Sequence, residues 1–181
     1  MNLANSKPCI AFERHDHRDC QHQLMSEAKA LCATRNTRLT RRRLQVLEIL
    51  LQSHQPMGAY EILAHINRVQ STQLTPQSRE KTIKRGALQA VAPPIVYRAL
   101  EFLLDEGLAH RIESKNAYIC CVRPGHQRAA QFLICRGCEK VAELERHDLD
   151  LLTDAARVGF TVDSSVVEIT GHCADCGKNA S

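Results

Sequence analysis

The sequence predicts an α+β fold made of a helical N-terminal domain and a smaller mixed C-terminal domain. Apolar residues recur at helical spacing in several N-terminal segments. Two short alternating segments then flank the turn residues ESKN, which indicates a β-hairpin. Helices followed by a two-stranded hairpin are the order of a winged helix, so we expect a winged-helix domain first. Two CxxC motifs near the C-terminus predict an α/β domain with a four-cysteine zinc site.

The first two helices are predicted from spacing and end signals. Residues 26–35 form the first, with one apolar face made of Ala28, Leu31 and Cys32. The second follows Thr40, a good N-cap residue, and its leucines recur at helical spacing: Leu44, Leu47, Leu50 and Leu51. The segment QPMG ends this helix.

The next helices complete the predicted winged helix. The third is AYEILAHINRV, whose inward face holds Ile62, Leu63 and Ile66. The fourth is IVYRALEFLLDEG, with Gly107 as its C-cap. As the last helix before the hairpin segments LAHRI and AYICC, it is the one expected in the DNA major groove.

The C-terminal pattern predicts strand, knuckle, strand, helix and strand. FLICRGCEKVAEL reads as two strands joined by a knuckle, residues 148–157 as a helix, and FTVDSSVVEITGH as a strand. The predicted divisions are a polar tail over 1–25, a winged helix over 26–121 with an insertion at 69–93, a hinge over 122–130, and a dimerisation and zinc-binding domain over 131–181.

Charge is clustered although the net charge is only +4. One basic cluster contains Arg35, Arg38, Arg41, Arg42 and Arg43, and a second contains Arg79, Lys81, Lys84 and Arg85. Such clusters are typical of proteins that bind nucleic acid, although either one alone also fits a solvated helix face.

Segment composition predicts a cytoplasmic protein. No apolar run is long enough to span a bilayer, and the N-terminus MNLANSKPC lacks the charged start and apolar stretch of a secretory signal. Nine cysteines in a cytoplasmic chain favour metal or redox chemistry over a disulfide framework.

The most specific motif is a pair of CxxC knuckles, one at Cys135 and Cys138 and one at Cys173 and Cys176. Four thiolates make the closed tetrahedral site that structural zinc prefers. The alternative is a thioredoxin-like redox pair, which needs only one CxxC at the start of a helix. Two matched knuckles favour zinc.

The sequence resembles the zinc uptake regulator (Zur) branch of the ferric uptake regulator (Fur) superfamily. The resemblance lies in LTRRRLQVLEILLQSHQPMGAYEIL, PPIVYRALEFLLDEGLAHRIESKNAYICC, PGH, FLICRGCEKVAEL and VVEITGHCADC, and it covers about residues 26–67 and 92–176. It implies a homodimeric, zinc-responsive repressor that binds an inverted-repeat operator, represses zinc uptake genes and has no enzymatic activity.

The resemblance also implies particular site residues and two zinc ions per subunit. The paired knuckles hold structural zinc, and regulatory zinc is held by a mixed set: His110, Cys121, His126 and Glu143. Spacing alone does not assemble this set, but its N, S and O ligands suit Zn²⁺. The implied DNA contacts are Tyr60 and Arg98, with Tyr97 on the recognition helix, and phosphate contacts come from the basic run Arg41, Arg42 and Arg43.

Some features depart from the family pattern. Ile95 stands where relatives carry Thr, and the insertion 69–93 has no counterpart. Its basic residues either contact phosphates beside the operator, in a helix starting at Pro76, or lie on a spacer facing away from DNA. The polar tail holds four further metal-ligand types, which either bind metal or are solvated: His15, His17, Cys20 and His22.

Three other classes compete with a zinc-responsive repressor. A zinc enzyme would need an open coordination position beside a general base, and the sequence has neither HExxH nor a deaminase-type HxE motif. A zinc-stabilised adaptor would leave the winged helix unexplained. An iron or peroxide sensor of the same superfamily is the nearest rival, but the soft thiolate of Cys121 favours zinc.

Overall fold

A computed structural model describes residues 11–13, 15–72, 90–125, 130–144, 149–163 and 165–178. In the N-terminal half the helices are α1 (His17–Thr34), α2 (Arg41–Leu50), α3 (Ala59–Thr72) and α4 (Pro93–Asp105), followed by the strands β1 (Ala109–Ile112) and β2 (Ala117–Cys120). The C-terminal half contains β3 (Ala130–Cys135), β4 (Val141–Leu144), α5 (Leu149–Arg157), β5 (Val166–Gly171) and the short α6 (Ala174–Gly177).

The first helix begins earlier than the sequence indicated. Asp16 is its N-cap, and the carboxylate accepts a hydrogen bond from Arg18 N at 2.9 Å. The buried face continues at four-residue spacing through Cys20, Leu24, Ala28 and Cys32. The prediction that residues 17–25 belong to a polar tail is therefore wrong, because this segment packs one apolar stripe against the core.

The helical core lies between α2, α3 and α4. Its most buried side chains include Val46, Leu47, Ile62, Ile66, Leu100 and Leu103. Thr40 occupies the N-cap position of α2 as predicted, although its hydroxyl makes no capping hydrogen bond. Helix α4 starts with Pro93 in its first turn, where a missing N–H costs nothing, and Gly107 takes a φ of +65° just beyond its end.

The hairpin after α4 forms the predicted wing. Strands β1 and β2 pair in antiparallel register from Ala109 opposite Cys120 to Ile112 opposite Ala117. Met57, in the loop between α2 and α3, adds a bridge to Tyr118 through two backbone hydrogen bonds of 2.8 and 2.9 Å. This arrangement confirms the predicted winged helix.

The C-terminal sheet has the order β4-β3-β5. Strands β3 and β4 are antiparallel, whereas β3 and β5 are parallel, so the chain must cross over between them and does so through α5. The wing and this sheet share a second apolar cluster, which we call the wing–sheet cluster: Ile112, Ile119, Phe132, Ile134 and Val141. The two halves therefore pack on each other through these side chains.

Several predicted features lie outside the described residues. They are His126 and the insertion's Pro76, Arg79, Lys81, Lys84 and Arg85. Within the part of the chain that is described, no helix is long and apolar enough to cross a membrane.

Candidate metal centres and DNA-binding surface

The four knuckle cysteines come together at one end of the C-terminal sheet. Cys135 ends β3, Cys138 follows in the turn to β4, and Cys173 caps the short helix α6 that contains Cys176. Their sulfur atoms all lie within 4.8 Å of one another, and the Sγ atoms of Cys138 and Cys173 are 3.9 Å apart. Four sulfurs at this separation fit a closed tetrahedral zinc site.

Backbone contacts hold the two knuckles together, and backbone N–H groups favour a thiolate at Cys135. Arg136 N donates to Gly171 O at 2.8 Å, which joins the first knuckle to the segment that leads into the second. Gly137 faces the second knuckle so closely that an added Cβ would lie 2.8 Å from Cys176 Cβ and Sγ. Hydrogen bonds from Cys138 N–H and then Cys173 N–H lower the pKa of Cys135 to about 6, so a thiolate is readily formed.

The second group joins the wing to the C-terminal sheet. His110 lies on β1, Cys121 directly follows β2, and Glu143 lies on β4, with ligand atoms within 4.8 Å of one another. His110 Nε2 is 3.4 Å from Glu143 Oε1, and Val122 N donates to Glu143 Oε2 at 3.1 Å. Nε2 of His110 is buried and makes no well-formed hydrogen bond within the described ranges, which fits a nitrogen that can ligate a metal ion.

Two members of this group, Glu143 and Cys121, have pKa values shifted by their surroundings. Burial opposes ionisation of Glu143, but the close approach and charge of His110, together with the hydrogen bond from Val122 N–H, outweigh it and hold the pKa of Glu143 below its usual value. Burial, and then the charge of Glu143, raises the pKa of the Cys121 thiol. The raised pKa favours the neutral thiol of Cys121, and a nearby cation would favour its deprotonation.

Cys120 precedes Cys121 in the sequence and faces the opposite side of the hairpin, as the alternation of side chains along a strand requires. Cys120 Sγ lies 3.6 Å from Leu108 O and packs against the helical core, whereas Cys121 is fully buried beside His110 and Glu143. The structure thus brings together three of the four residues implied for the regulatory site, and the fourth, His126, lies outside the described residues.

The N-terminal ends of α3 and α4 form one exposed surface. Tyr60 is 68% exposed at the start of α3, and Tyr97 and Arg98 are exposed near the start of α4. The rings of Tyr60 and Tyr97 are 6.5 Å apart and nearly perpendicular. Ile95, the residue that departs from the family pattern, is 40% exposed on the same helix. Aromatic and guanidinium groups at adjacent helix starts can reach base edges and phosphates together.

The three arginines at the start of α2 differ in how accessible they are for contacts with DNA phosphates. Arg41 is exposed, whereas Arg42 Nη1 donates to Gln45 Oε1 at 2.8 Å. The Arg43 guanidinium lies over the Phe102 ring at 3.5 Å and donates to Arg38 O. Arg35 is also engaged within the fold, because it pairs with Glu106 at 3.2 Å. The structure therefore makes Arg41 the most accessible candidate for a phosphate contact.

Comparison with known proteins agrees with this geometry. No protein-family model matches the chain. The zinc uptake regulation protein of Escherichia coli (strain K12) is 34% identical over 159 residues, which cover 85% of this chain and 81% of that protein. This chain belongs to the zinc uptake regulator family. A protein from Shigella flexneri with the same name is equally similar.

Solved structures similar to this Zur-family chain have the same fold. A zinc uptake regulator complexed with zinc and DNA has a TM-score of 0.72 and 30% identity, covering 88% of this chain and 97% of that one. Holo XcZur has a TM-score of 0.70 and 33% identity, covering 87% and 99%. The sequence-based resemblance to this family is confirmed.

A third group of ligand-type side chains involves a residue that sequence reasoning missed. His15, His17 and Cys20 lie beside His54, from the loop after α2, whereas His22 is exposed on α1 and is not part of the group. Burial, then the charges of His17, His15 and Lys140, lowers the pKa of His54 to about 4. No local pattern identifies His54, because its partners are distant in the sequence.

Proposed function

We propose that this Zur-family protein is a zinc-responsive transcriptional repressor that binds operator DNA as a zinc-loaded homodimer and represses zinc uptake genes. The observation that carries the proposal is the group formed by His110, Cys121 and Glu143, which spans the wing and the C-terminal sheet. His126 would complete this regulatory site, and the four cysteines would hold a structural zinc ion. Two zinc ions per subunit follow from these sites.

The donor set favours zinc over iron at the regulatory site. Cys121 supplies a sulfur ligand, His110 a nitrogen and Glu143 an oxygen, a mixture that zinc accepts. A thiolate beside ferrous iron would be open to oxidation, so an iron sensor is less well supported. The groups described are ligands and structural contacts, and we assign none of them a catalytic role.

The regulatory residues would act by fixing the orientation of the DNA-binding half. His110 and Cys121 move with the wing, and Glu143 moves with the C-terminal sheet, so their joint ligation opposes separation of the halves. Shifting a population from mostly open to mostly closed requires about 5.5 kcal/mol of differential affinity. Zinc coordination supplies bonds of sufficient strength, since structural zinc peptides gain about 10 kcal/mol or more.

The exposed surface of α3 and α4 supports DNA binding. Arg98 and Tyr97 would reach base edges in the major groove, and Tyr60 would contact a thymine methyl group or a phosphate. Arg41 would contact phosphate, which adds affinity without sequence information. Arg42 and Arg43, already held by Gln45 and Phe102, would contribute less.

Dimerisation is supported by apolar side chains left exposed on the C-terminal half. Four large apolar residues there are about half or more exposed: Val158, Phe160, Val166 and Ile169. Two of them lie on β5, which is an edge of the sheet. An apolar edge of this kind is typical of an interface between copies, and a two-fold dimer matches an inverted-repeat operator.

The experiment that tests this function measures operator binding metal by metal. Metal-depleted regulatory sites are titrated with Zn²⁺, Fe²⁺ or Mn²⁺, and binding to an operator-containing duplex is followed by fluorescence anisotropy. We expect tight binding with Zn²⁺ at the lowest free-metal concentration. Equal binding without added metal, or stronger activation by Fe²⁺ at equal free concentration, would refute a zinc-responsive repressor.

A further inference from the structure

A third group of potential metal ligands lies away from both sites described above. The ligand atoms of His15, His17, Cys20 and His54 all lie within 4.8 Å of one another. Nε2 of His15 is 3.0 Å from Nε2 of His54, and the rings of His17 and His54 are 4.5 Å apart. The cluster brings the start of α1 against the loop that follows α2.

The local geometry explains how this group forms. Asp16 caps α1, so His15 precedes the helix while His17 and Cys20 lie in its first turn, three residues apart on one face. Both ring nitrogens of His17 are buried, and neither makes a hydrogen bond with any residue in the described ranges. An imidazole buried in this way loses its hydration without compensation, unless a ligand occupies the group.

We propose that His15, His17, Cys20 and His54 form a third zinc site, which fastens the start of α1 to the loop after α2. Three imidazole nitrogens and one thiolate are ligands that zinc accepts, and four protein ligands make a closed, non-catalytic site. This site goes beyond the proposed function, since neither the structural nor the regulatory zinc requires it.

The position of the loop gives the third site a consequence for the whole fold. The loop that carries His54 also contacts the C-terminal half, because Val141 N donates to His54 O at 2.9 Å. The next residue, Gln55, donates through Nε2 to Cys138 O at 2.7 Å. A cavity lined by His17, Cys20, His54, Cys120 and Glu143 lies between the cluster and the regulatory group. Zinc in the cluster therefore holds the loop where it contacts the first knuckle and the strand that carries Glu143.

The test is the zinc content of the full-length protein after equilibration with excess zinc and removal of loosely bound metal. We expect about three zinc ions per subunit, against about two if only the structural and regulatory sites fill. His54→Ala and, separately, Cys20→Ser should each lower the content by about one ion. His22→Ala is the matched control, since His22 is exposed on the same helix outside the cluster, and it should retain the wild-type content.

Cobalt substitution adds a readout that does not depend on stoichiometry. Co²⁺ in the cluster would have one thiolate ligand, so Cys20→Ser should lower the thiolate-to-cobalt charge-transfer absorption by the share of one sulfur, while the contributions of Cys121 and of the four knuckle cysteines remain. Far-ultraviolet circular dichroism checks that each variant is folded. Folded Cys20→Ser and His54→Ala variants whose zinc content and cobalt spectra match those of the wild-type protein would overturn the third site.

These measurements use no DNA, so they separate the third site from the proposed function. If the zinc content falls as expected while operator binding proves independent of zinc, the third site stands and the repressor proposal fails. If operator binding is zinc-dependent while the cluster holds no metal, the repressor proposal stands and the third site fails.

Discussion

At the scale of single residues, the regulatory group depends on which of two adjacent cysteines faces it. Cys121 is fully buried beside His110 and Glu143, while Cys120 packs on the helical core. The pleat of β2 separates them, since successive side chains of a strand point to opposite faces. A one-residue change in register would place Cys120, in place of the proposed ligand Cys121, beside His110 and Glu143.

We expect Cys121→Ser to weaken zinc-dependent operator binding by about tenfold or more, since changes to residues that merely support metal ligands already cost about 10–100-fold. The variant should remain a folded dimer with its structural zinc. Cys120→Ser is the matched control and should keep the zinc response, with a small loss of stability from its core contact. Anisotropy titrations with zinc compare the two, and loss of the response in Cys120→Ser alone would show that the ligand assignment is wrong by one residue.

A second residue-scale prediction concerns Gly137. Its added Cβ would lie 2.8 Å from Cys176 Sγ, so Gly137→Ala should push the knuckles apart, lower zinc retention against a chelator, and destabilise the fold by about 1–3 kcal/mol. Gly171→Ala is the control, because a Cβ there meets nothing within 4 Å. Thermal unfolding and chelator competition measure both variants. Equal behaviour of the two would mean that the close approach has no role in the site.

At the scale of elements, the sequence predicted best what depends on neighbouring residues. Helices α2, α3 and α4 and the hairpin were found from apolar spacing and turn signals, and the four cysteines from two local motifs. The start of α1 was missed because histidines and acidic residues masked the four-residue spacing of Cys20, Leu24 and Ala28. Polar composition concealed a helix that buries only one narrow face.

The site residues also divide into those that local sequence motifs identify and those that only long-range packing brings together. His110 lies on β1, Cys121 directly follows β2 and Glu143 lies on β4, so only the family resemblance, and no local spacing, links them in the sequence. His54 was not identified at all, because its approach to His15 and His17 depends on how the loop after α2 packs against α1. Long-range packing of this kind is not encoded by short periodicities.

Helix α4 and the start of α2 should contribute differently to DNA binding. Arg98→Ala should weaken binding to the operator more than to unrelated DNA, by about 1–3 kcal/mol, since Arg98 is expected to contact bases. Arg41→Ala should weaken both alike and reduce the slope of log affinity against log salt by about one unit. Salt titrations on operator and unrelated duplexes measure both effects.

Arg43→Ala is the control for these variants, since its guanidinium is stacked on Phe102. It should lower thermal stability and leave the salt slope unchanged. A reduced slope for Arg43→Ala, together with an unchanged slope for Arg41→Ala, would reverse the assignment of the phosphate contact.

At the scale of the whole molecule, two C-terminal surfaces have different partners. One face of the sheet joins the wing through the wing–sheet cluster, and Glu168 on β5 accepts hydrogen bonds from Glu113 N and Ser114 N at 2.6 and 3.1 Å. The exposed apolar residues beside β5 are available to a second copy of the chain. We propose that the same small domain supports the wing and forms the dimer interface.

We expect Phe160→Asp to convert the dimer into a monomer at micromolar concentration. Phe160 is 65% exposed, so the substitution costs little within one subunit but would bury a charge in the interface. Lys29→Asp, which changes an exposed charge on α1, should leave the dimer intact. Light scattering coupled to size-exclusion chromatography gives both masses, and a dimeric Phe160→Asp would place the interface elsewhere.

The wing–sheet cluster limits how freely the two halves can be recombined. The wing and the sheet each contribute apolar side chains to this cluster. The wing contributes Ile112 and Ile119, and the sheet contributes Phe132, Ile134 and Val141. A chimera that joins the winged-helix half to a foreign dimerisation domain would expose the wing's part of this cluster, Ile112 and Ile119, and would be expected to aggregate. We therefore expect new operator specificity to be gained more readily by changing the few exposed side chains on α3 and α4 than by exchanging whole halves of the chain.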